Sequence, residues 1–200
     1  MATVCTKSYS GGEIDRREVL RYAGAGLGAD EVERLLDGVV AEALGELSYK
    51  LCYTVLPIKF GEREVDLGFA KTRSESLIKR LSGCESIILF AATVGVGIDR
   101  LIRKSALTSP ARALLLDSLG TERVEWLCDT FFREISTVLT ASALGARPRF
   151  SPGYGDLPIT LQRDVFKTLE CEKHIGLTLN ESCLMSPQKS VSAIIGLYKL

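Results

Sequence analysis

The sequence has little of what metal sites and hydrolytic active sites require. It contains one histidine, His174, and its six cysteines form no C-x-x-C pair. Zinc and iron–sulfur sites use closely spaced ligands, so neither is indicated. A serine hydrolase would need a G-x-S-x-G turn beside its histidine, and the chain has none. We expect His174 to lie near a helix C-terminus, where an imidazolium is favoured.

The cysteines carry no signature of a disulfide framework either. They are Cys5, Cys52, Cys84, Cys128, Cys171 and Cys183. A scattered set of this kind is typical of a reducing compartment, where cysteine behaves as a small apolar side chain. We therefore expect most of them to be buried and reduced.

An excess of one charge is also missing. Lysine plus arginine and aspartate plus glutamate each number 25, so the net charge is zero. Phosphate backbones require clustered cations, so no nucleic-acid partner is expected. The longest nearly apolar run, 86–98, is too short to span a bilayer, and residues 1–12 lack the apolar segment of a signal peptide. These features predict a cytoplasmic protein without a membrane partner.

Helical and strand-like periodicities are intermixed without a regular βαβ alternation. Helices are predicted at 13–22, from Asp30 to about 47, and at 74–81, 98–105 and 160–169. Strands are predicted at 51–60, 65–69, 86–93, 177–185 and 190–197. This pattern favours an α+β fold with an antiparallel twisted sheet and flanking helices. Residues 1–200 are expected to form one domain, with less distinctive motifs in 1–108 than in 109–200.

The longest apolar periodicity starts at a clear helix signal. Ser109 can cap the helix and Pro110 suits its first turn. The pattern continues to about residue 144, and Gly120 could kink or interrupt it. The sequence therefore predicts one long helix or a helix pair over about 110–144.

Two glycine-rich segments invite comparison with nucleotide-binding loops. The segment 24–29 satisfies G-x-G-x-x-A, but a Rossmann site needs a buried strand before it, and residues 15–21 are charged and helix-periodic. A turn between two helices is therefore favoured, and a Rossmann methyltransferase is the least favoured function. Gly95 and Gly97 follow a predicted strand, so they indicate a tight turn or, alternatively, one wall of a binding site.

The segment 149–154 reads R-x-x-x-G-Y and suits a zwitterionic ligand. Arg149 offers a rigid fork of N–H donors that can hold a carboxylate in two bonds. Gly153 permits a close backbone approach or a positive φ, and Tyr154 offers a flat ring. The alternative is purely structural: a type II turn with Pro152 and Gly153 at its centre.

A second motif lies downstream, where residues 179–192 read L-N-E-S-C-L-M-S-P-Q-K-S-V-S. This segment resembles the L-x-E-S-x-x-M-x-P-x-x-S-V-S stretch of the activation domain of cobalamin-dependent methionine synthase. In that family the stretch follows an R-x-x-x-G-Y loop at similar spacing, as it does here. The resemblance covers about residues 110–196 and is to the short, free-standing form of the domain.

The resemblance implies a module that binds S-adenosylmethionine and offers its methyl group to a cobalamin held by another protein. The expected partners are a cobalamin-binding protein or methionine synthase core and a flavodoxin-like reductant. Arg149 is expected to hold the methionyl carboxylate. Gly153 and Tyr154 match the rest of the R-x-x-x-G-Y motif. The adenosine side of the ligand is expected to be lined by Tyr154 and by the backbone from Gly155 through Asp156 to Pro158.

Two acidic residues are assigned to the same site by the resemblance. Glu125, on the predicted long helix, aligns with a family glutamate and could bind the α-ammonium group, although a solvated helix face would explain it equally well. Glu181 matches the second motif and is expected to shape the floor of the site.

The sequence departs from the family at two places. Ala143 stands six positions before Arg149, where longer members have an acidic residue, and no tyrosine follows the S-V-S motif in register. Two alternatives therefore stay open. The chain could be a non-catalytic sensor or binding partner of a corrinoid protein, or an activator of a different corrinoid methyltransferase. An enzymatic role would be that of a methyltransferase-type activation module, a methionine synthase component that acts with a cobalamin partner.

Overall fold

The computed structural model describes residues 3–24 and 30–200. Within these ranges the helices are α1 (Arg16–Tyr22), α2 (Asp30–Ala43), α3 (Glu75–Arg80), α4 (Val96–Ala106), α5 (Pro110–Ala141), α6 (Gln162–Leu169) and α7 (Cys171–Ile175). The strands are β1 (Cys5–Tyr9), β2 (Tyr49–Pro57), β3 (Lys59–Phe60), β4 (Val65–Asp66), β5 (Lys71–Thr72), β6 (Ser86–Thr93), β7 (Leu144–Ala146), β8 (Thr178–Leu179), β9 (Met185–Ser186) and β10 (Ser190–Lys199). A short 3-10 helix, Ile159–Leu161, precedes α6.

The central sheet has the strand order β1-β2-β6-β10-β7, and every neighbouring pair is antiparallel. Strand β6 lies in the middle and is almost entirely apolar and buried, as a strand covered on both faces should be. Its register pairs Leu89 with Thr54 on one side and with Ile194 on the other. The predicted α+β class with an antiparallel sheet and flanking helices is confirmed.

Helices cover the sheet on both faces, and the strands divide their side chains between two cores. In β6, Phe90 and Ala92 pack with α1, α2, α4 and α5, whereas Ile87 and Leu89 pack with α3, α6 and α7. This division follows from the period of two along a strand. We call the first side the α5 face and the second the α3 face.

Helix α5 forms one continuous element through Gly120. Ser109 caps it, because the Ser109 side chain accepts a hydrogen bond from the backbone N–H of Arg112. A Cβ at Gly120 would lie 2.7 Å from Cγ of Lys189 and 3.2 Å from Ile98, so close packing explains this glycine. Of the two predicted forms, the single long helix is the correct one, and it ends at Ala141.

Several predicted elements need correction. The strand predicted at 177–185 is wrong in its middle: β8 and β9 form a hairpin whose turn is held by the Asn180 side chain, which accepts from the backbone N–H of Leu184 at 2.9 Å. The strand predicted at 51–60 is divided between β2 and β3, which belong to different sheets. Strands β1 and β7 were not predicted, because each is short and partly exposed at a sheet edge.

The glycine-rich segment 24–29 lies outside the described residues, apart from Gly24. The element before it is helix α1 and not a buried strand, which removes the context that a Rossmann loop requires. Gly95 has φ +87° and caps α4, so the second glycine pair forms the expected strand-to-helix turn. Among the described residues, no helix is both long enough and apolar enough to cross a bilayer.

Candidate functional site

The R-x-x-x-G-Y segment follows β7 and continues along the edge of the central sheet. The backbone N–H of Arg147 donates to the carbonyl of Gly196 at 2.8 Å. Phe150 and Ile194 exchange two backbone hydrogen bonds, at 2.8 and 2.9 Å. Strand β10, which carries the S-V-S end of the second motif, therefore holds the start of the first motif in place.

The side chain of Arg149 turns to the α5 face. Its guanidinium is ion-paired with Glu125 and lies 3.6 Å from a carboxylate oxygen of Asp129, one helical turn further along α5. The side chain is 25% exposed. Its Nη1 atom is buried and has no hydrogen-bond partner among the described residues. Part of the donor capacity of this arginine is therefore unused.

The residues around Arg149 favour the protonated, positively charged form of its guanidinium. Burial alone would lower the pKa of Arg149, but the neighbouring carboxylates of Glu125 and Asp129 help to offset this, and the pKa is raised. Burial also raises the pKa of the Cys128 thiol to about 12. The site is thus a fixed cation beside a neutral thiol and two carboxylates, an arrangement suited to orienting a zwitterion.

Residues 151–154 form a type II turn, which is the purely structural alternative given for this segment in the sequence analysis. The backbone N–H of Tyr154 donates to the carbonyl of Ser151 at 3.1 Å, and Gly153 has φ +93°. The N–H of Gly153 donates to the carbonyl of Leu157 at 2.8 Å, which closes the loop. Because this φ lies in the left-handed region, the turn requires glycine at position 153.

Tyr154 presents its ring to solvent. It is 62% exposed, and its ring meets that of Phe150 edge to face with centroids 6.2 Å apart. Because backbone hydrogen bonds fix Phe150 to β10, the ring that Tyr154 packs against is held in position. An exposed aromatic ring that is held in this way can stack on a planar ligand.

Asp156 joins the loop to α3. Its carboxylate accepts hydrogen bonds from the Ser74 hydroxyl at 2.5 Å and from the backbone N–H groups of Glu75 and Ser76 at 2.6 and 3.2 Å. These donors, Ser74 foremost, lower the pKa of Asp156 to about 2. A Cβ at Gly155, which has φ +56°, would lie 2.8 Å from Oγ of Ser76. Asp156 and Gly155 therefore fix the loop against the start of α3.

Pro158 and Glu181 lie at the edges of this arrangement. Pro158 precedes the 3-10 helix Ile159–Leu161. Glu181 lies in the β8–β9 turn, where its carbonyl accepts from Nη2 of Arg163 at 2.6 Å. It lines a cavity of about 770 Å³ between α6, α7 and β8. Among the described residues, no hydrogen bond or ion pair joins Glu181 to the 149–158 loop, so its ligand role stays a prediction.

Other residues belong to this neighbourhood although the sequence did not single them out. Asp129 lies four residues after Glu125, a helical spacing that could have identified it. A cavity of about 510 Å³ adjoins both carboxylates. Its lining consists of Asp15, Glu18, Tyr22, Glu122, Glu125, Trp126, Asp129, Phe132 and Arg133. An open cleft is thus present beside the Arg149 ion pair.

Comparison with known proteins places this fold in a recognised class. It is similar to a solved structure described as "Crystal Structure of the MetH Reactivation Domain bound to AdoHcy", with a TM-score of 0.68 and 19% identity. The match covers 98% of this chain and 78% of that chain. At this level of identity, the likeness establishes the fold.

The sequence comparison is more specific about the family. Residues 134–198 match the family model described as "Vitamin B12 dependent methionine synthase, activation domain". This stretch contains both the Arg149–Tyr154 segment and the motif at 179–192. No curated protein sequence matches the chain significantly. The resemblance to the methionine synthase activation domain is confirmed.

Proposed function

We propose that this chain binds S-adenosylmethionine at the Arg149–Pro158 loop and supports reductive remethylation of a corrinoid held by a separate protein. The observation that carries the proposal is the family match over 134–198, because it includes both motifs. The AdoHcy named in the fold neighbour adds support, since AdoHcy is what S-adenosylmethionine becomes after losing its methyl group.

The residues of the loop fit such a ligand. The Nη1 atom of Arg149 is a buried donor without a hydrogen-bond partner. A methionyl carboxylate could accept a hydrogen bond from it after a small movement of the loop. Glu125 and Asp129 hold the guanidinium and retain acceptor oxygens for an α-ammonium group. Tyr154 provides an exposed ring for the adenine.

The protein needs to supply little acid–base chemistry for this function. The bound S-adenosylmethionine supplies an electrophilic methyl group, which the reduced corrinoid of the partner accepts, with the electron coming from a flavodoxin-like donor. The contribution of this chain is to bind and orient the ligand, and correct orientation alone can lower a barrier substantially. A methionine synthase core or another cobalamin-binding protein is the proposed partner.

The central test is calorimetric titration of S-adenosylmethionine into three variants. Arg149→Ala removes the guanidinium, Arg149→Lys keeps the charge but loses the fork, and Arg100→Ala removes an exposed arginine of α4 as the control. We expect Arg149→Ala to weaken binding by about tenfold or more, the scale of a charge-assisted hydrogen bond. Arg149→Lys should bind with intermediate affinity, and the control should match the wild type. Circular dichroism checks that each variant is folded.

Unchanged affinity in Arg149→Ala would remove the role given to this arginine. A wild-type chain that binds no S-adenosylmethionine would favour the second candidate, a non-catalytic binding partner of a corrinoid protein. The Arg149–Glu125 ion pair favours that alternative, because the arginine already has an internal carboxylate. A mixture with a cobalamin-loaded partner and a reductant then tests the activity: loss of the cob(II)alamin absorbance should require S-adenosylmethionine and this chain together.

A further inference from the structure

A second cavity lies on the α3 face, beside the same loop but away from Arg149. It has a volume of about 500 Å³ and lies between α3 and the segment 147–150. Its lining consists of Ser76, Lys79, Arg80, Arg147, Pro148 and Phe150. Half of these residues are cationic and none is acidic. A concentration of positive charge stands out in a chain whose net charge is zero.

The three cations are not neutralised by the protein. Among the described residues, neither Lys79, Arg80 nor Arg147 forms an ion pair with a carboxylate, whereas Arg149, on the same segment, pairs with Glu125 and Asp129. Asp156 is the acidic residue bonded to the cavity wall, through the backbone N–H of Ser76. Its carboxylate oxygens accept hydrogen bonds at the start of α3 and form no ion pair with the three cations. Like charges held close together without a counter-ion repel each other, and a bound anion would relieve this repulsion.

The arginines are also held in position. The guanidinium of Arg147 lies 4.5 Å from the ring centroid of Tyr198, and its Nη2 donates to the carbonyl of Ser82 at 3.3 Å. Its Nε atom is buried and has no partner within the described ranges. Arg80 lies 5.7 Å from the ring centroid of Phe150. Cations fixed on aromatic rings lose little freedom when they bind a ligand.

A structural explanation accounts for only part of this cluster. Lys79 and Arg80 occupy the last turn of α3, where the helix dipole favours cations. Arg147 comes from a different element, after β7, and gains nothing from that dipole. The convergence of two elements, with an unpartnered donor in Arg147, is what indicates a ligand.

We propose that this cavity binds a small ligand through a phosphate group. Arginine forks match phosphate oxygens geometrically, and the Ser76 hydroxyl adds another donor. The volume is within the range of ordinary small-molecule sites and exceeds what a bare phosphate needs, so the ligand carries further atoms against Phe150 and Pro148. This inference goes beyond the proposed function and does not depend on it.

The test uses inorganic pyrophosphate as the probe, titrated calorimetrically at constant ionic strength set with sodium chloride. We expect saturable binding to the wild type, and Arg147→Gln and Arg80→Gln should each weaken it about tenfold or more, as for the loss of a charge-assisted bond. Lys104→Gln removes an exposed cation from the end of α4 and serves as the control, with affinity unchanged. Arg80 is exposed, so its variant keeps the test valid should Arg147→Gln destabilise the fold.

Absence of saturable binding, or an equal loss in the control, would overturn the proposal. The two sites are separated by a cross-test. Arg149→Ala should lose S-adenosylmethionine binding and keep pyrophosphate binding, whereas Arg80→Gln should do the reverse. Loss of pyrophosphate binding in Arg149→Ala would mean that the cavity is not an independent site.

Discussion

Asp156 illustrates how one carboxylate can fix a loop against a helix that lies far away in the sequence. It accepts a hydrogen bond from the backbone N–H of Glu75, 81 residues earlier in the sequence, and so ties the 149–158 loop to the start of α3. Its neighbours, Gly155 and Ser76, are in close contact, which leaves no space for a side chain at position 155. The contribution of Asp156 to ligand binding is therefore expected to act through the loop backbone.

The first prediction concerns the acid stability of this contact. The folded-state pKa of Asp156 is about 2, below its ordinary value of 3.8, so its stabilising effect is complete above the unfolded pKa and is lost as the pH falls through the folded pKa. Asp156→Asn should lower the melting temperature at pH 7, and the difference from the wild type should shrink between about pH 4 and pH 2. Thermal melts across this range measure the difference.

The control for this prediction is Asp164→Asn, which changes another carboxylate near the start of a helix. Its difference from the wild type should be smaller at pH 7. A melting-temperature difference for Asp156→Asn that stays constant down to pH 2 would show that the contact does not depend on the charge.

The second prediction concerns the thiols. Cys5 is exposed and the other five cysteines are buried. A hydrogen bond with Cys52 and burial raise the pKa of Cys171, and burial raises those of Cys84 and Cys128. Since the thiolate is the reactive form, Ellman's reagent should modify one thiol rapidly in the native protein and all six after unfolding.

Replacing Cys5 identifies the reactive group. Cys5→Ser should remove the rapid phase and leave the slow ones unchanged. A rapid phase that survives in Cys5→Ser would mean that one of the buried thiols is accessible in solution.

At the scale of elements, helix α5 holds the N-terminal segment through a buried ion pair. Arg123 is 0% exposed, pairs with Glu122, and donates to the carbonyls of Gly12 and Glu13 at 2.8 Å each. Glu122 in turn accepts from the backbone N–H of Asp15 at 3.3 Å. The buried pair thus ties α5 to the connection between β1 and α1.

The third prediction follows from this connection. Arg123→Met should destabilise the fold by about 3–5 kcal/mol, because it leaves Glu122 buried without its partner. Adding Glu122→Gln should recover part of the loss. Arg112→Met is the matched control on the same helix. Arg112 pairs with Glu42 at 2.5 Å but is partly exposed, so we expect this variant to lower the free energy of unfolding by about 1 kcal/mol or less. Urea unfolding measures all three.

Hydrogen exchange distinguishes a local role from a general one. In Arg123→Met, the amides of residues 12–15 should exchange faster than those of β6. Equal destabilisation by Arg112→Met and Arg123→Met would contradict the special role of the buried pair.

At the scale of the whole molecule, one sheet supports both cores. Trp126, the only tryptophan, packs on the α5 face, and Leu77 is fully buried on the α3 face. Because β6 and β10 contribute side chains to both cores, neither core can be lost alone without exposing the sheet. This shared sheet supports the proposal that residues 1–200 form one domain.

The fourth prediction tests that cooperativity. Leu77→Ala should cost about 2–5 kcal/mol, as is typical of a large-to-small change in a core. Its effect should appear equally in tryptophan fluorescence, which reports the opposite face, and in far-ultraviolet circular dichroism. Leu107→Ala, at an 89% exposed position, is the control and should change little. Fluorescence unaffected by Leu77→Ala would indicate two independent units.

Short sequence patterns correctly predicted the elements that residues close together in the sequence are enough to specify. The Ser109–Pro110 cap, the apolar run of β6 and the glycine turn at 151–154 each carry their cause within a few residues. The predictions failed where long-range pairing decides. The edge strands β1 and β7 are stabilised by partners far away in sequence, as in the pairing of Cys5 with Tyr53. The β8–β9 hairpin is local, and there the apolar pattern did not reveal the turn that the Asn180 side chain holds.

The amino-acid sequence alone determined the mixed fold class, the long helix and the resemblance carried by the two motifs, because period, capping and motif spacing are properties of neighbouring residues. Only the tertiary structure decided which face each motif residue takes. It placed Arg149 against Glu125 of α5, engaged Asp156 with α3, and gathered Arg147 with Arg80 around a cavity. These contacts depend on how the sheet edge packs between helices distant in the chain, and no local pattern encodes that packing.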